Sequence, residues 1–194
     1  MTSGGLGLIA GGYLIGAVPF GLLVARLLGG PDPREGGSGN IGATNVARQA
    51  GKAAGVLTLV LDIAKGFAPT FLAAQWLGPA WAAGVGLAAF VGHCWPVYLR
   101  FKGGKGVATF LGVLLGLAPW AALASGVLLI LVALASRHMS LGSMVGCTSS
   151  VVWLWLLGAP VAVMAAASVM SLLVIYKHRE NIARLRAGTE HGWR

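Results

Sequence analysis

The sequence predicts an all-helical, polytopic membrane protein, and three observations carry that expectation. Of 194 residues, 57% are hydrophobic and only 10% are charged, against about 25% charged in an ordinary soluble domain. The mean hydropathy is +0.81. The apolar residues gather into runs of membrane-spanning length, and the basic residues gather between the runs. This pattern excludes a soluble dinucleotide-binding or barrel enzyme and a disordered tail. It also excludes nucleic-acid binding as the meaning of the net charge of +9. Length alone would allow one or two domains, but the continuous succession of runs makes residues 1–194 a single integral-membrane domain.

The runs follow in order. The first is Leu6–Leu28; its flank, Met-Thr-Ser-Gly-Gly, carries no basic residue, which argues against a cleaved signal peptide. A polar segment rich in Gly, Pro and Asn covers Gly29–Lys52. The runs Ala53–Leu77 and Trp81–Leu99 follow, with Gly78-Pro79 as the turn between them. Arg100–Gly106 is a second polar break. Val107–Ser136 has no charge and is too long for one comfortable crossing; Pro119 divides it into a shorter and a longer half. Arg137-His138 interrupts next. Leu141–Leu157 and Val161–Tyr176 flank Gly158-Ala159-Pro160, and a basic tail closes the chain.

Lys and Arg collect in the loops that stay inside. With Val107–Ser136 as a helical hairpin, the chain has seven transmembrane helices, the N-terminus outside and the C-terminus cytoplasmic. Arg26, Arg34, Arg48, Lys52, Arg100, Lys102, Lys105, Arg137, Lys177, Arg179, Arg184, Arg186 and Arg194 then all face the cytoplasm, 13 of the 14 basic residues. Only Lys65 lies within a span. A single crossing there would put Arg137 and the basic tail on opposite sides of the membrane. The small residues at four-residue spacing, Gly12/Gly16, Gly112/Gly116 and Gly142/Gly146, read as close helix packing. No internal repeat is evident, so an inverted-repeat transporter gains no support.

Three polar segments carry chemistry, and all fall on the predicted cytoplasmic side. The first runs from Gly36 to Arg48. Gly37, Gly39 and Gly42 let the backbone approach a ligand and turn its N–H groups inward. Ser38, Asn40, Thr44 and Asn45 add polar side chains, and the Arg48 fork can hold phosphate through two hydrogen bonds. Gly37–Gly42 also fits GxGxxG, but no strand of a βαβ unit precedes it, so it is no dinucleotide fingerprint. A flexible glycine turn would explain the glycines and not the polar residues among them.

The second segment, Gly92–Thr109, sets Lys102 and Lys105 around Gly103-Gly104 and just ahead of a helix start, where free N–H groups and a lysine suit an anion. It lacks the GxxxxGK[ST] spacing of a P-loop. An ordinary inside loop would supply the lysines but not the glycines between them. In the third, Lys177–Leu185, a helix continuing from the last span would bring His178, Asn181 and Arg184 onto one face. For Arg186 and Arg194 a membrane-anchoring basic tail is account enough.

The remaining candidates are weaker. Adjacent His93 and Cys94 diverge by about 100° on a helix, and the apolar setting of Cys94 disfavours a thiolate. Asp62 and Lys65, three apart within a span, read as a mutually neutralising pair. His138 looks interfacial. Cys94 and Cys147 offer neither a disulfide framework nor a CxxC zinc site, and five acidic residues are too few and too scattered for a carboxylate metal centre. No metal and no cofactor is expected.

Taken together, GSGNIGATNVAR, GHCWPVYLRFKGGKGVAT and KHRENIARL resemble, in the same order, the three signature motifs of the bacterial acyl-phosphate-dependent glycerol-3-phosphate acyltransferases, the PlsY type. LDIAKGFAP around Asp62 is similar to sequence of that family too, and the resemblance runs from Tyr13 to Glu190. It implies transfer of a fatty acyl group from acyl phosphate to the sn-1 hydroxyl of glycerol 3-phosphate. The products would be lysophosphatidic acid and inorganic phosphate, in the first acylation of phospholipid synthesis at the cytoplasmic face of the bacterial inner membrane. Implied partners are the two substrates, membrane lipid and an upstream enzyme that forms acyl phosphate, with no nucleic acid.

Carried over by position, Ser38, Gly39 and Asn40 with Thr44 and Asn45 would cradle the acyl-phosphate phosphate. Arg48, Lys105, His178 and Asn181 would hold glycerol 3-phosphate and polarise the reaction centre. Gly37, Gly42, Lys102, Gly103 and Gly104 would complete the substrate-binding set, and Ser38, Arg48, Lys105, His178 and Asn181 would be the catalytic one. The HxxxxD motif of other glycerolipid acyltransferases is absent: five residues after His93, His138 and His178 stand Tyr98, Ser143 and Ala183. A mixed anhydride is already activated, so positioning and charge neutralisation can carry the reaction without a covalent intermediate. The main alternative, a transporter for a phosphorylated solute, would need polar residues along a route through the bilayer, and here they gather at one face.

Overall fold

In a computed structural model the chain is described over residues 3–190 and 192; Arg194 lies outside the described residues. Every regular element among them is helical. The first apolar run is two helices, α1 (Ser3–Ala17) and α2 (Phe20–Leu27), broken at Val18-Pro19. Pro19 has no N–H to donate and pushes the residue before it out of helical geometry. The break frees the Val18 carbonyl, which accepts a hydrogen bond from Lys65 Nζ at 2.8 Å. Hydropathy alone implies one uninterrupted helix over this run; the structure keeps one span but breaks its helix at the proline.

A short amphipathic helix, α3 (Ala43–Ala50), follows the first polar segment and precedes the long α4 (Lys52–Leu77). Next come α5 (Pro79–Cys94), α6 (Val107–Leu117), α7 (Pro119–Ser136), α8 (Met139–Leu156) and α9 (Val161–Lys177). A helix α10 (Arg179–Arg186) ends the series, bent by 54° from α9 rather than continuing it straight. The apolar run through Leu99 is helical only to Cys94; Pro96 redirects the chain into a 3-10 turn at Val97–Leu99. Val107–Ser136 divides at Ala118-Pro119 into an 11-residue and an 18-residue helix, the break falling at the proline expected from sequence.

Among the described residues five helical segments are long and apolar enough to cross a membrane, counting α1 and α2 as one, and a sixth joins them if α9 and α10 are one bent crossing. The glycine pairs are where helices touch. A Cβ on Gly16 would fall on the Ala89 backbone of α5, one on Gly112 on the Ile63 carbonyl of α4, and one on Gly142 on the Leu129 carbonyl of α7. The packing reading of those glycines holds. The core between α5, α6 and α9 is built on Phe90, Phe110, Leu114 and Met170, all fully buried, with the two rings edge to face at 6.2 Å. Large apolar side chains point outward elsewhere, as lipid-facing surfaces require. Trp76, Trp120 and Trp155 are 68%, 72% and 67% exposed. Each sits beside one of the turns at Gly78, Pro119 and Gly158, which carry no basic residue, and tryptophan favours the membrane–water boundary.

Candidate active site

The first polar segment is organised from within by one side chain. Asn45, on the first turn of α3, is 2% exposed. Its amide nitrogen donates to the carbonyls of Pro33 (2.7 Å), Asn40 (2.9 Å) and Gly36 (3.2 Å), and its Oδ1 accepts from the Ser38 N–H at 3.0 Å. Asn40 Oδ1 in turn accepts the Gly42 N–H at 2.8 Å, just before α3 begins. Gly37 and Gly39 take left-handed φ values of 60° and 66°, where a Cβ is strained. The loop is thereby wound into a fixed cradle with Ser38 on its rim. Asn45 holds the cradle together, both ends of its amide engaged by loop backbone.

The second segment closes against α5. The Gly104 N–H donates to the His93 carbonyl at 3.1 Å, and a Cβ on Gly103 would collide with that carbonyl and with Pro96. Packing against α5 explains these two glycines. Gly106 caps α6 at φ 83°, where a Cβ would meet the Phe90 ring. Lys105, between them, donates to Asn181 Oδ1 on α10. Burial pushes its ammonium down to about 8, nearby Arg184 adding to the effect and Glu190 opposing it.

In the third segment the bend at the start of α10 seats His178. Its Nδ1 lies 2.8 Å from the Val174 carbonyl. A carbonyl can only accept, so Nδ1 carries the proton and Nε2 keeps its lone pair. Burial pushes the imidazole down to about 4, so it is neutral at pH 7.

One cavity of about 370 Å³ unites the three segments. Its polar wall holds Ser38, Asn40, Gly42, Thr44, Asn45, Arg48, Lys105, His178, Asn181 and Arg184. Its apolar wall comes from α4, α6 and α7, through Leu59, Ile63, Leu111, Leu129 and Ile130. The opening residues of three helices also line it: Ala43 and Thr44 of α3, Val107 and Ala108 of α6, Met139 and Ser140 of α8. First-turn N–H groups have no acceptor in their own helix and carry the positive end of the dipole, so this end of the cavity is built for anions. Gly37, Gly39, Gly103 and Gly104 shape the walls from behind, and Lys102 is exposed outside the lining.

Sequence reasoning missed Glu190. Its carboxylate, 5% exposed at the side chain, accepts from Asn181 Nδ2 (2.6 Å), Ser140 Oγ (2.7 Å) and Arg184 Nε (2.7 Å). Burial pushes its pKa up, and those three donors outweigh burial to hold it below the usual carboxylate range. Nothing in the sequence set it apart from Glu180, the other carboxylate of the basic tail. Asp62 and His93 also reach the cavity wall, from α4 and α5. Among the described residues no three His, Cys, Asp or Glu side chains are grouped to hold a metal ion.

Fold and cavity define a polytopic helical membrane protein with a pocket that is lined at one end by basic and polar side chains and helix starts, and by an apolar wall leading away from them. The family model described as glycerol-3-phosphate acyltransferase matches residues 6–188, and the chain belongs to that family. Among its relatives is a glycerol-3-phosphate acyltransferase of Solidesulfovibrio magneticus, 50% identical over 184 residues that cover 94% of this chain and 92% of the relative. Another, from Thioalkalivibrio sulfidiphilus, is 47% identical over 184 residues, 94% of this chain and 91% of that one. A crystal structure of PlsY, an integral membrane glycerol 3-phosphate acyltransferase in its glycerol 3-phosphate form, superposes with a TM-score of 0.96 at 43% identity, covering 99% of this chain and 96% of that one. The lysophosphatidic acid form of PlsY superposes at 0.92, with 42% identity and the same coverage.

Proposed function

We propose that this protein transfers a fatty acyl group from acyl phosphate to the sn-1 hydroxyl of glycerol 3-phosphate, giving lysophosphatidic acid and inorganic phosphate. The observation that carries the reading is the single cavity, with two kinds of anion ligand at one end and an apolar wall at the other. In this reading the chain crosses a bacterial inner membrane seven times, with α6 the short crossing, the N-terminus outside and the cavity mouth cytoplasmic. The tryptophans at the three turns free of basic residues support that orientation.

The Ser38 rim, Thr44 and the start of α3 take the acyl-phosphate phosphate, while the acyl chain lies along Leu59, Leu111 and Ile130. Arg48, Lys105 and Asn181 take glycerol 3-phosphate. His178 Nε2, neutral and unprotonated, accepts a hydrogen bond from the 2-hydroxyl of glycerol 3-phosphate and so aims the neighbouring sn-1 oxygen, whose own proton stays free to move. The sn-1 oxygen bonds to the acyl carbonyl carbon, the bond from that carbon to the phosphate oxygen breaks, and phosphate leaves. A base with a pKa of about 4 is far from the pH 7 at which proton abstraction works best. The proton therefore passes to an oxygen of the substrate phosphate, and the protein supplies geometry and positive charge.

Purified protein in lipid vesicles, given palmitoyl phosphate, should release phosphate and form lysophosphatidic acid only when glycerol 3-phosphate is added. Equal release without the acceptor, or transfer from palmitoyl coenzyme A in its place, would refute the reading.

A further inference from the structure

Directly behind the cavity lie three ionisable side chains that the reaction above does not use. Asp62, Lys65 and His93 are 2%, 4% and 4% exposed. Lys65 Nζ stands 2.7 Å from Asp62 Oδ1 and also donates to the Val18 carbonyl at the break between α1 and α2. His93 Nδ1 faces the same Asp62 oxygen at 3.7 Å and has no hydrogen-bond partner among the described residues.

Ionisable groups inside a span are costly, and mutual neutralisation accounts for Asp62 with Lys65. It does not account for the imidazole, nor for Asp62 and His93 both reaching the cavity wall. What His93 does touch is the second polar segment. Its carbonyl holds the Gly104 N–H, and its ring lies so close beneath Gly104 that an added Cβ there would fall on Nε2. The next residue is Lys105.

We infer that Asp62 and His93 are positioning residues for Lys105. The Asp62 carboxylate, fixed by Lys65, faces the edge of the imidazole ring at 3.7 Å and limits where it can turn; the ring supports the turn at Gly103–Gly106; and the turn sets where the Lys105 ammonium stands relative to Asn181. Through Lys65 the same cluster ties that turn to the broken first span. The inference rests on Lys105 being a ligand of glycerol 3-phosphate.

The test is a split between the two substrates. Displacing one charge-assisted hydrogen bond costs about tenfold or more in affinity. Asp62→Asn and His93→Ala should therefore raise KM for glycerol 3-phosphate about tenfold while KM for palmitoyl phosphate stays within about twofold. Gly104→Ala, which presses on the same ring from the other side, should give the same split. Should Asp62→Asn fail to accumulate because Lys65 has lost its partner, Asp62→Asn/Lys65→Met removes both charges, and His93→Ala remains an independent probe. Unchanged kinetics in these variants, or a rise in both KM values together, would overturn the inference while leaving the function standing. A wild-type protein without acyl transfer would overturn the function itself.

Discussion

If Lys105 holds glycerol 3-phosphate as proposed, the reaction should have an alkaline limit that can be worked out from the surroundings of that lysine. With a pKa of about 8 in the free protein, it is about nine-tenths protonated at pH 7 and about one-tenth protonated at pH 9. A fall in kcat/KM for glycerol 3-phosphate of roughly tenfold over those two units follows, because kcat/KM reports ionisations of the free enzyme. The substrate adds little there, since the second pKa of a phosphate monoester lies near 6 and it is already about nine-tenths dianion at pH 7. His178 at about 4 and Glu190, held below its usual range, have also finished titrating by pH 7. Once bound, the substrate dianion favours the charged lysine, so the kcat profile should stay flatter than that of kcat/KM. The assay is phosphate release from vesicle-bound protein at saturating palmitoyl phosphate, with the enzyme-free hydrolysis of the anhydride subtracted at each pH. Lys105→Arg, whose guanidinium stays charged throughout, should be slower but flat to pH 9. A wild-type profile with no alkaline limb, or the same limb in Lys105→Arg, would refute the reasoning.

The other predictions concern topology, phosphate binding and cofactor independence. A cysteine placed at Gly37 in a cysteine-free background should resist a membrane-impermeant thiol reagent on intact cells and react in inverted vesicles; labelling from outside would overturn the orientation. Arg48→Ala removes a fork that contributes about 1.5–3 kcal/mol in charge-assisted hydrogen bonds, so turnover should fall at least tenfold with detergent melting unchanged; near-wild-type activity would mean that Arg48 does not hold phosphate. The Cys94→Ser/Cys147→Ser double variant, assayed in EDTA, should keep most of its acyl transfer. Rescue by Mg²⁺ of an EDTA-stopped reaction, or a folded but inactive double variant, would count against the direct metal-free transfer.

Much of the layout was legible in the sequence because a bilayer imposes a simple code on length and charge. Of the two lysines set around Gly103-Gly104 only Lys105 lines the cavity, and His178, Asn181 and Arg184, spaced three apart, line it too despite the bend at α10. What stayed hidden depends on approach between distant segments. Glu190 meets Ser140 across 50 residues, a pairing that neither residue advertises. His93 touches Asp62 and Gly104 only because α5 packs on α4 and the second loop folds back over it. Asn45 looked like one more donor for phosphate, whereas the fold spends it on Pro33, Gly36 and Asn40. Composition can show that a polar residue is available, not which acceptor reaches it first.

The shortness of α6 says how deep the chemistry lies. Eleven residues of helix rise roughly 16 Å, about half the hydrocarbon thickness of a bilayer. Its first turn shares the cavity with Asp62, which stands about ten residues, or roughly 15 Å, along α4 from Lys52. The Lys105 loop is thus carried down beside the interior of α4 instead of resting at its end. A water-soluble phosphate would have to descend past the headgroups to meet its partner. The lipid chain, meanwhile, need never leave the leaflet. In the proposed reaction only the small, charged molecule would have to travel, drawn in by the positive helix starts and the lysine that line the cavity.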